Sequence, residues 1–192
     1  AVLGDRIRMQ QHFGDPGVYI RSMATRGSHG GLPRTAGQVA KLLDAFGKDV
    51  VLIETVGVGQ TELDIMEVAD TVVVVLVPEA GDSVQTMKAG LMEIADIFAV
   101  NKADRDGADA LCREIIATLE MSPKQSYWTV PVLATQAHRN VGVEEVLAQV
   151  EKHRAVVQLS NRFAEKRRGQ RRKEFFQMIE QRGEERLRDL LH

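Results

Sequence analysis

The chain has few of the residues that define several protein classes. Its 192 residues include one cysteine, Cys112, so no disulfide framework is possible within it, and a reducing compartment fits best. We interpret Cys112 as a small core residue rather than a reactive thiol. The longest apolar run, residues 72–77, is much too short to cross a bilayer, and no charged-then-apolar leader opens the sequence. These absences exclude disulfide-rich secreted and membrane-spanning classes and predict a cytoplasmic protein, or a mitochondrial matrix protein in a eukaryote.

The net charge of −2 conceals an asymmetry along the chain. Residues 161–192 hold 10 Lys/Arg against 6 Asp/Glu, whereas residues 1–160 hold 15 against 21. The basic tail has the pattern of a long amphipathic helix, which Gly169 and Gly183 could divide into shorter pieces. Apolar residues recur on one face of this predicted helix and must be buried somewhere: Phe163, Phe176, Ile179, Leu187 and Leu190.

Short apolar segments alternate with helical patterns and Gly/Pro-punctuated loops, which is typical of βα units and a parallel sheet. Strands are predicted at 18–23, 50–53, 72–77, 96–101 and 129–134, and helices at 38–46, 107–120 and 143–156. We interpret 50–53 and 72–77 as central strands, and the second, being apolar throughout, as covered on both faces. The sequence predicts an α/β fold in which residues 1–158 form the sheet domain and residues 159–192 a helical C-terminal arm.

A tetrapeptide at the end of a predicted strand indicates the ligand. The apolar run 96–100 is followed by Asn101-Lys102-Ala103-Asp104. An ionised carboxylate only accepts hydrogen bonds, so Asp104 can accept from both the ring N–H and the exocyclic amine of guanine, whereas adenine would offer it a lone pair. The four residues alone are more typical of a turn, but their position after a strand, with a phosphate-type motif upstream, favours GTP over ATP.

The upstream motif, after the predicted strand 50–53, is Glu54-Thr55-Val56-Gly57-Val58-Gly59-Gln60. An acid at a strand end can hold Mg²⁺, usually through water, and the amide of a glycine three residues later can approach the terminal phosphate. A Gly-rich turn can also be simple punctuation between a strand and a helix. Combined with N-K-x-D, the motif predicts a GTPase whose glycines permit the backbone rearrangement of a nucleotide switch.

Two further candidates carry weaker signals. Thr135-Gln136-Ala137 ends the last predicted strand, where such sheets place a backbone N–H against the guanine carbonyl oxygen, although a plain loop has the same composition. Asp5 could approach the metal or its waters, or could pair with Arg6 or Arg8 on the surface.

Five segments in order resemble the ArgK/MeaB family: L-G-D-R-I-R-M (3–9), R-S-M-A-T-R-G (21–27), E-T-V-G-V-G-Q (54–60), E-A-G-D-S-V-Q-T-M-K-A-G-L-M-E-I-A-D (79–96) and N-K-A-D (101–104). Members of this family are GTPase chaperones of adenosylcobalamin-dependent acyl-CoA mutases, and they include the methylmalonic aciduria type A protein. The resemblance implies a doubly wound, mainly parallel sheet of the P-loop NTPase type that binds GTP or GDP with Mg²⁺. It also implies docking on methylmalonyl-CoA mutase or a relative, where the GTPase gates cobalamin loading and protects the mutase.

By matching motif, the resemblance assigns a nucleotide site to this chain. Asp5 and Glu54 become metal-site acids, and Gly57 becomes the phosphate-sensing glycine of switch II. The base-binding residues are then Asn101, Lys102 and Asp104, with Ala137 behind the base.

The resemblance also implies a route of communication and an assembly. Segment 79–88 matches switch III, which makes Asp82, Gln85 and Lys88 candidates for relaying the nucleotide state to the mutase. Asp82 could instead cap the following helix, and Lys88 could be a solvated surface residue. The helical arm is used in this family for homodimerisation.

Val58 stands directly after Gly57, where Ras-like enzymes carry the glutamine that positions the attacking water. We therefore expect slow turnover in the absence of a partner. Gln60, two residues further on, is the candidate that could position the water after a rearrangement.

The sequence contains no G-x-x-x-x-G-K-[ST] loop, whose amides and lysine cradle nucleotide phosphates. Ala1 is not an initiator methionine, and by the resemblance it falls within switch I. We expect a fragment that lacks the first βα unit of the fold and the metal-binding acid after its next strand, and whose C-terminal arm stops early. Such a fragment is expected neither to bind GTP tightly nor to hydrolyse it alone.

A rival interpretation is a non-enzymatic interaction module whose basic tail binds nucleic acid or protein. The tail carries Arg167, Arg168, Arg171, Arg172 and Lys173. Clustered basic residues favour contacts with phosphates. Interleaved acids and aromatics, however, better suit a solvated helix face opposite a buried stripe, and we expect neither nucleic acid nor membrane as a partner. A transport-system kinase would need a phosphoryl acceptor that the sequence does not identify.

Overall fold

The computed structural model describes residues 7–24, 32–33, 35–55, 64–78, 91–121, 127–160 and 162–190. Its sheet has three parallel strands in the order β1 (Val73–Leu76), β2 (Ile97–Val100) and β3 (Val132–Ala134). In the register of the sheet, Val100 of β2 lies between Leu76 of β1 and Ala134 of β3.

Helices connect the strands, because parallel neighbours need a crossover connection. In chain order they are α1 (Ala36–Ala45), α2 (Ile65–Val68), α3 (Met92–Ile94), α4 (Ala108–Met121), α5 (Val143–Leu159) and α6 (Arg162–Leu190). Short 3-10 helices occur at Gln10–His12 and Ala137–Arg139. No helix in the described part of the chain is both long and apolar enough to span a bilayer.

The core lies on both sides of β2, all four of whose residues are buried. Phe98 and Val100 belong to a cluster with Ile115 of α4, and α4 contacts both β2 and β3. Successive strand residues point to opposite faces, so Ile97 faces the other side, where α5 contacts β2. Helices therefore cover both faces of the middle strand, and the predicted α/β class is confirmed.

Two predicted strands are absent from this sheet. Residues 18–23 and 50–53 have no strand conformation. The side chain of Leu52 is 92% exposed, while that of Ile53 packs against the core. A run of β-branched residues forms a strand only where a neighbouring strand supplies hydrogen-bonding partners, and no described residue pairs with either segment. The prediction that 50–53 is a central strand was wrong.

The predicted strand 72–77 exists as β1, but it lies at the edge of the described sheet. Val75 is 53% exposed, so the prediction that both faces are covered was also wrong. The other predicted strands are confirmed with shorter bounds, and the predicted helices are confirmed as α1, α4, α5 and α6. Gly169 and Gly183 do not divide α6.

A buried histidine of α5 contacts residues at the amino-terminal edge of the sheet. His153 is 2% exposed, and its Nδ1 lies 2.9 Å from Oγ1 of Thr71, just before β1. Its Nε2 lies 3.3 Å from Oδ1 of Asp96, without the alignment of a hydrogen bond. The other oxygen of Asp96 accepts the Val72 N–H at 2.8 Å, and the Asp96 carbonyl accepts the Trp128 indole N–H at 2.7 Å. This network links α5 to the starts of all three strands.

The first half of α6 docks on the same edge through charged groups. Arg167 donates to the Asp70 carboxylate at 2.7 Å, and Lys166 donates to the Asp70 carbonyl at 3.2 Å. Lys173 pairs with Glu67 of α2. These contacts tie α6 to the segment that leads from α2 into β1.

Candidate functional site

Two loops meet at the carboxyl end of the sheet, one after β2 and one after β3. The Asn101 N–H donates to the Leu76 carbonyl at 2.8 Å, and the Thr135 N–H donates to the Val100 carbonyl at 2.8 Å. The parallel ladder thus continues one residue beyond each strand. It delivers Asn101 and Thr135 side by side at one edge, where ligands of open α/β sheets bind.

The side chain of Asn101 joins the two loops. Its Oδ1 accepts the backbone N–H of Ala137 at 3.0 Å and the hydroxyl of Thr135 at 3.3 Å. Because a backbone N–H can only donate, this geometry fixes which amide atom is the oxygen. The NH₂ group of Asn101 therefore remains on the other side of the amide, as a donor for a third partner.

A tight turn follows Asn101 and exposes the side chain of Asp104. Lys102 has φ +58°, a left-handed conformation uncommon for residues other than glycine. The Arg105 N–H closes the turn on the Lys102 carbonyl at 3.0 Å, and the Ala103 N–H donates to the Thr135 carbonyl at 3.0 Å. Asp104 stands between these anchored residues and is exposed, so its carboxylate is accessible to a ligand.

The loop after β3 closes on itself. Gln136 and Val141 exchange two backbone hydrogen bonds, of 2.9 and 3.2 Å, around the 3-10 turn Ala137–Arg139. Asn140 at φ +56° and Gly142 at φ +76° make the left-handed turns that lead into α5. The closed loop holds the Ala137 N–H toward Asn101.

The structure thus brings together Asn101, Lys102, Asp104 and Ala137, four of the residues selected from the sequence. One detail was not anticipated: within the segment Thr135-Gln136-Ala137, predicted to place a backbone N–H against the guanine carbonyl, the Ala137 N–H donates to Asn101. Glu54 is exposed, one residue after the anchored Ile53. The other selected residues, Asp5, Gly57, Gln60, Asp82, Gln85 and Lys88, lie outside the described residues.

Two residues support this site in ways that the sequence did not predict: Thr135, which was selected only as part of the segment 135–137, and Gly142, which was not selected. Thr135 is 5% exposed and is bonded to both Asn101 and Ala103, and Gly142 packs directly on the end of β3. The available signal was the spacing of Asn140 and Gly142, two residue types that tolerate left-handed backbone, shortly after Thr135-Gln136-Ala137.

Two other chemical features lie away from this edge. A cavity of about 250 Å³ at the amino-terminal edge is lined by residues that include Asp70, Asp96 and His153. Cys112 of α4 packs half-buried against the core, and burial, with a further contribution from the Asp109 carboxylate, raises the pKa of its thiol above the ordinary value, while Arg113 acts to lower it. Within the described ranges, no three His, Cys, Asp or Glu side chains are grouped so that they could hold a metal ion.

Comparison with known proteins decides the family. The family model described as "Methylmalonyl Co-A mutase-associated GTPase MeaB" matches residues 1–190. The chain belongs to the MeaB family. The resemblance predicted from the motifs is thereby confirmed, and the loops after β2 and β3 are those of a MeaB protein.

Individual MeaB relatives agree with this assignment. A Pyrococcus abyssi protein with a provisional GTPase name is 54% identical over 171 residues, covering 88% of this chain and 53% of the relative. A Mycobacterium bovis protein with a similarly provisional GTPase name is 39% identical over 174 residues, covering 88% and 52%. The mitochondrial methylmalonic aciduria type A homolog of Mus musculus is 31% identical over 185 residues, covering 94% and 45%. The chain thus spans about half the length of the curated relatives that it matches.

Proposed function

We propose that this chain carries the guanine-recognition half of a GTP-binding and GTP-hydrolysing chaperone that gates cobalamin loading of an acyl-CoA mutase. The observation that carries this proposal is the hydrogen bond from the Ala137 N–H to Asn101 Oδ1, 3.0 Å long. It joins an N-K-x-D turn to the loop of the neighbouring parallel strand, at the edge where such sheets bind nucleotides. The description of the family as mutase-associated supports the choice of partner.

Each residue of the turn has a chemical task in this proposal. The exposed Asp104 carboxylate accepts the ring N–H and the exocyclic amine of guanine. The NH₂ group of Asn101 donates to the purine ring, and the stem of Lys102 packs on its face. The guanine carbonyl oxygen shares the Ala137 N–H with Asn101 in a three-centre hydrogen bond.

Swapping one side chain tests the base pocket. Asp104→Asn replaces an acceptor-only group with one acceptor and one donor, which suits xanthine, whose carbonyl stands where guanine has its amine. In titrations of the ¹⁵N-labelled chain with GDP, XDP and ADP into the millimolar range, the parent should prefer GDP. The variant should lose about tenfold or more in GDP affinity and should prefer XDP.

Asp106→Asn is the matched control, because it makes the same change two residues further on in the same exposed loop. Its preference for GDP should equal that of the parent. A parent that perturbs the Ala103 and Ala137 amides equally with GDP and ADP would show that this edge does not select guanine.

The phosphate and metal functions rest on other residues. Glu54 and Asp5 would hold Mg²⁺, and a carboxylate such as Glu54 is the oxygen donor that this ion takes, usually with water and phosphate completing its shell. Gly57 would approach the γ-phosphate, and Gln60 would position water; Gln60→Ala should then lower turnover measured with the mutase present. Because the 192 residues contain no G-x-x-x-x-G-K-[ST] loop, we expect the chain alone to bind GTP weakly and to hydrolyse it negligibly.

Relay and assembly complete the proposal. Asp82, Gln85 and Lys88 would pass the nucleotide state to the mutase, and pull-down of a cobalamin-dependent mutase with and without GTP tests that association. Residues 159–192 would form a dimerisation arm attached to the sheet domain of residues 1–158. The apolar residues of α6 support this division, since Phe176, Ile179 and Leu187 are all more than half exposed in the single chain.

The contacts of α6 do not favour a tail that binds nucleic acid. Lys166, Arg167 and Lys173 engage Asp70 and Glu67 of the chain itself. A part of the basic charge of α6 is therefore directed toward its own sheet domain rather than toward an external polyanion.

A further inference from the structure

Gly142 occupies a position that no larger residue fits. It has φ +76°, and a Cβ built on it would lie 2.5 Å from the carbonyl oxygen of Ala134, the last residue of β3. It would also lie 3.1 Å from Cγ2 and 3.2 Å from Cα of Thr135. Real Cβ atoms essentially never approach another atom within 3.0 Å, and the nearest atom here is backbone, which cannot rotate away as a side-chain end could.

The atoms that Gly142 contacts hold the proposed base pocket together. Thr135 donates through its N–H to Val100, accepts the Ala103 N–H at its carbonyl, and donates through its hydroxyl to Asn101 Oδ1. One residue therefore connects the end of β2, the Asn101–Asp104 turn and the loop after β3. A displacement of Thr135 by a few tenths of an ångström changes all three bonds together.

Gly142 also fixes where the second loop ends. The Gln136–Val141 pair closes that loop immediately before Gly142, and α5 begins immediately after it. The close approach of Gly142 to Ala134 sets the depth at which the loop sits against β3. Because Ala137 belongs to this loop, a shift of the loop away from β3 would lengthen the hydrogen bond from the Ala137 N–H to Asn101.

We propose that Gly142 is a positioning residue for guanine recognition. Its missing side chain lets the loop after β3 seat against the strand, so that Thr135 and Ala137 hold Asn101 and Asp104 in register with the base. The inference rests on the proposed guanine site, but its structural part is testable without nucleotide.

The chain contains a matched control for Gly142→Ala. Gly47 has nearly the same backbone angle, φ +80°, but nothing lies within 4 Å of a Cβ built on it. Gly47→Ala therefore introduces the strain of a left-handed alanine without the collision. A difference between the two variants isolates the steric effect at residue 142 from loss of stability in general.

The first measurement is hydrogen exchange of the Ala137 amide in the nucleotide-free chain. Gly142→Ala should accelerate it roughly three- to tenfold relative to Gly47→Ala, which is the protection of one hydrogen bond. The second is the ratio of affinities for GDP and inosine diphosphate, which lacks the exocyclic amine read by Asp104. Gly142→Ala should reduce this ratio by a similar factor, whereas Gly47→Ala should leave it unchanged.

Thr135→Val tests the same link between the loop after β3 and Asn101 if Gly142→Ala does not fold. It keeps the shape of the side chain and removes only the hydroxyl bond to Asn101, so it should shift both readouts in the same direction. Unchanged exchange and an unchanged nucleotide ratio in Gly142→Ala, or in Thr135→Val where the first variant is unfolded, would overturn the proposal. Equal binding of GDP and ADP by the parent would instead refute the guanine site, while the exchange measurement would still decide the positioning role.

Discussion

Asn101 shows how a single side chain can join two loops of a site. Its one oxygen satisfies a buried hydroxyl from Thr135 and a backbone N–H from Ala137, groups that belong to a different βα unit. Its own N–H continues the ladder to Leu76. An aspartate here would keep the acceptors but lose the NH₂ donor. A leucine would remove the bonds to both partners, which is costly at the buried Thr135 hydroxyl.

Cys112 gives a residue-scale prediction about pH. Burial, and then the Asp109 carboxylate, raise the pKa of this thiol, so the folded state favours the neutral form. Only the thiolate reacts with iodoacetamide, and alkylation at pH 8 should therefore be slower in the native chain than in urea. Asp109→Asn removes one cause of the raised pKa and should accelerate the native reaction, whereas Glu120→Asn on the same helix should not.

The raised pKa of the Cys112 thiol also predicts how stability changes with pH. The unfolded chain loses the thiol proton at a lower pH than the folded chain does. The contribution of Cys112 is thus fully present below the ordinary thiol pKa and is lost as pH rises through the raised value. A parent whose stability, relative to Cys112→Ala, increases across that range would contradict this assignment.

At the scale of elements, some helices and strands could be predicted from local sequence patterns, whereas others depend on contacts between distant parts of the chain. The four confirmed helices and three confirmed strands follow from the spacing of apolar residues along the sequence, most clearly in β2, where all four residues are buried. Residues 50–53 have the same composition as a buried strand, yet Leu52 is almost fully exposed. The N-K-x-D turn could be predicted because its residues are contiguous, whereas the support from Thr135 and Gly142 depends on how β3 pairs with β2.

Replacing His153 should destabilise the chain, because this residue links α5 to the amino-terminal ends of the strands. His153→Leu keeps an apolar body but leaves the Thr71 hydroxyl and the Asp96 carboxylate without their imidazole partner. We expect a loss of about 2–4 kcal/mol in the free energy of unfolding, measured by urea titration.

Arg154→Leu is the control, since Arg154 is the exposed neighbour on α5. It should change the unfolding free energy by less than about 0.5 kcal/mol. Equal losses in the two variants would mean that the buried network contributes nothing specific.

At the scale of the whole molecule, α6 leaves apolar side chains on the surface that one chain does not cover. Phe176, Ile179 and Leu187 are exposed, and the proposed dimer would bury them. Light scattering should therefore give twice the 21.3 kDa chain mass, and Ile179→Glu combined with Phe176→Glu should give the monomer.

Arg182→Gln tests whether charge alone explains such a change. Arg182 is exposed on the same helix, and its replacement removes one positive charge without touching an apolar group. The mass should remain that of the dimer. A monomeric parent, or a glutamate double variant that stays dimeric, would exclude α6 as the assembly surface.

Because α6 is long, a small movement where it is attached to the sheet domain would displace its carboxyl-terminal end much further. Its 29 residues extend for roughly 43 Å, and among the side chains that the structure describes, those that bond to Asp70 and Glu67 lie between Lys166 and Lys173. The remaining turns would therefore move as a rigid arm about the segment from α2 to β1. A tilt of about 10° there would move the far end of α6 by several ångströms. A slight shift beside Glu67 would therefore displace any subunit bound at that end by a larger distance.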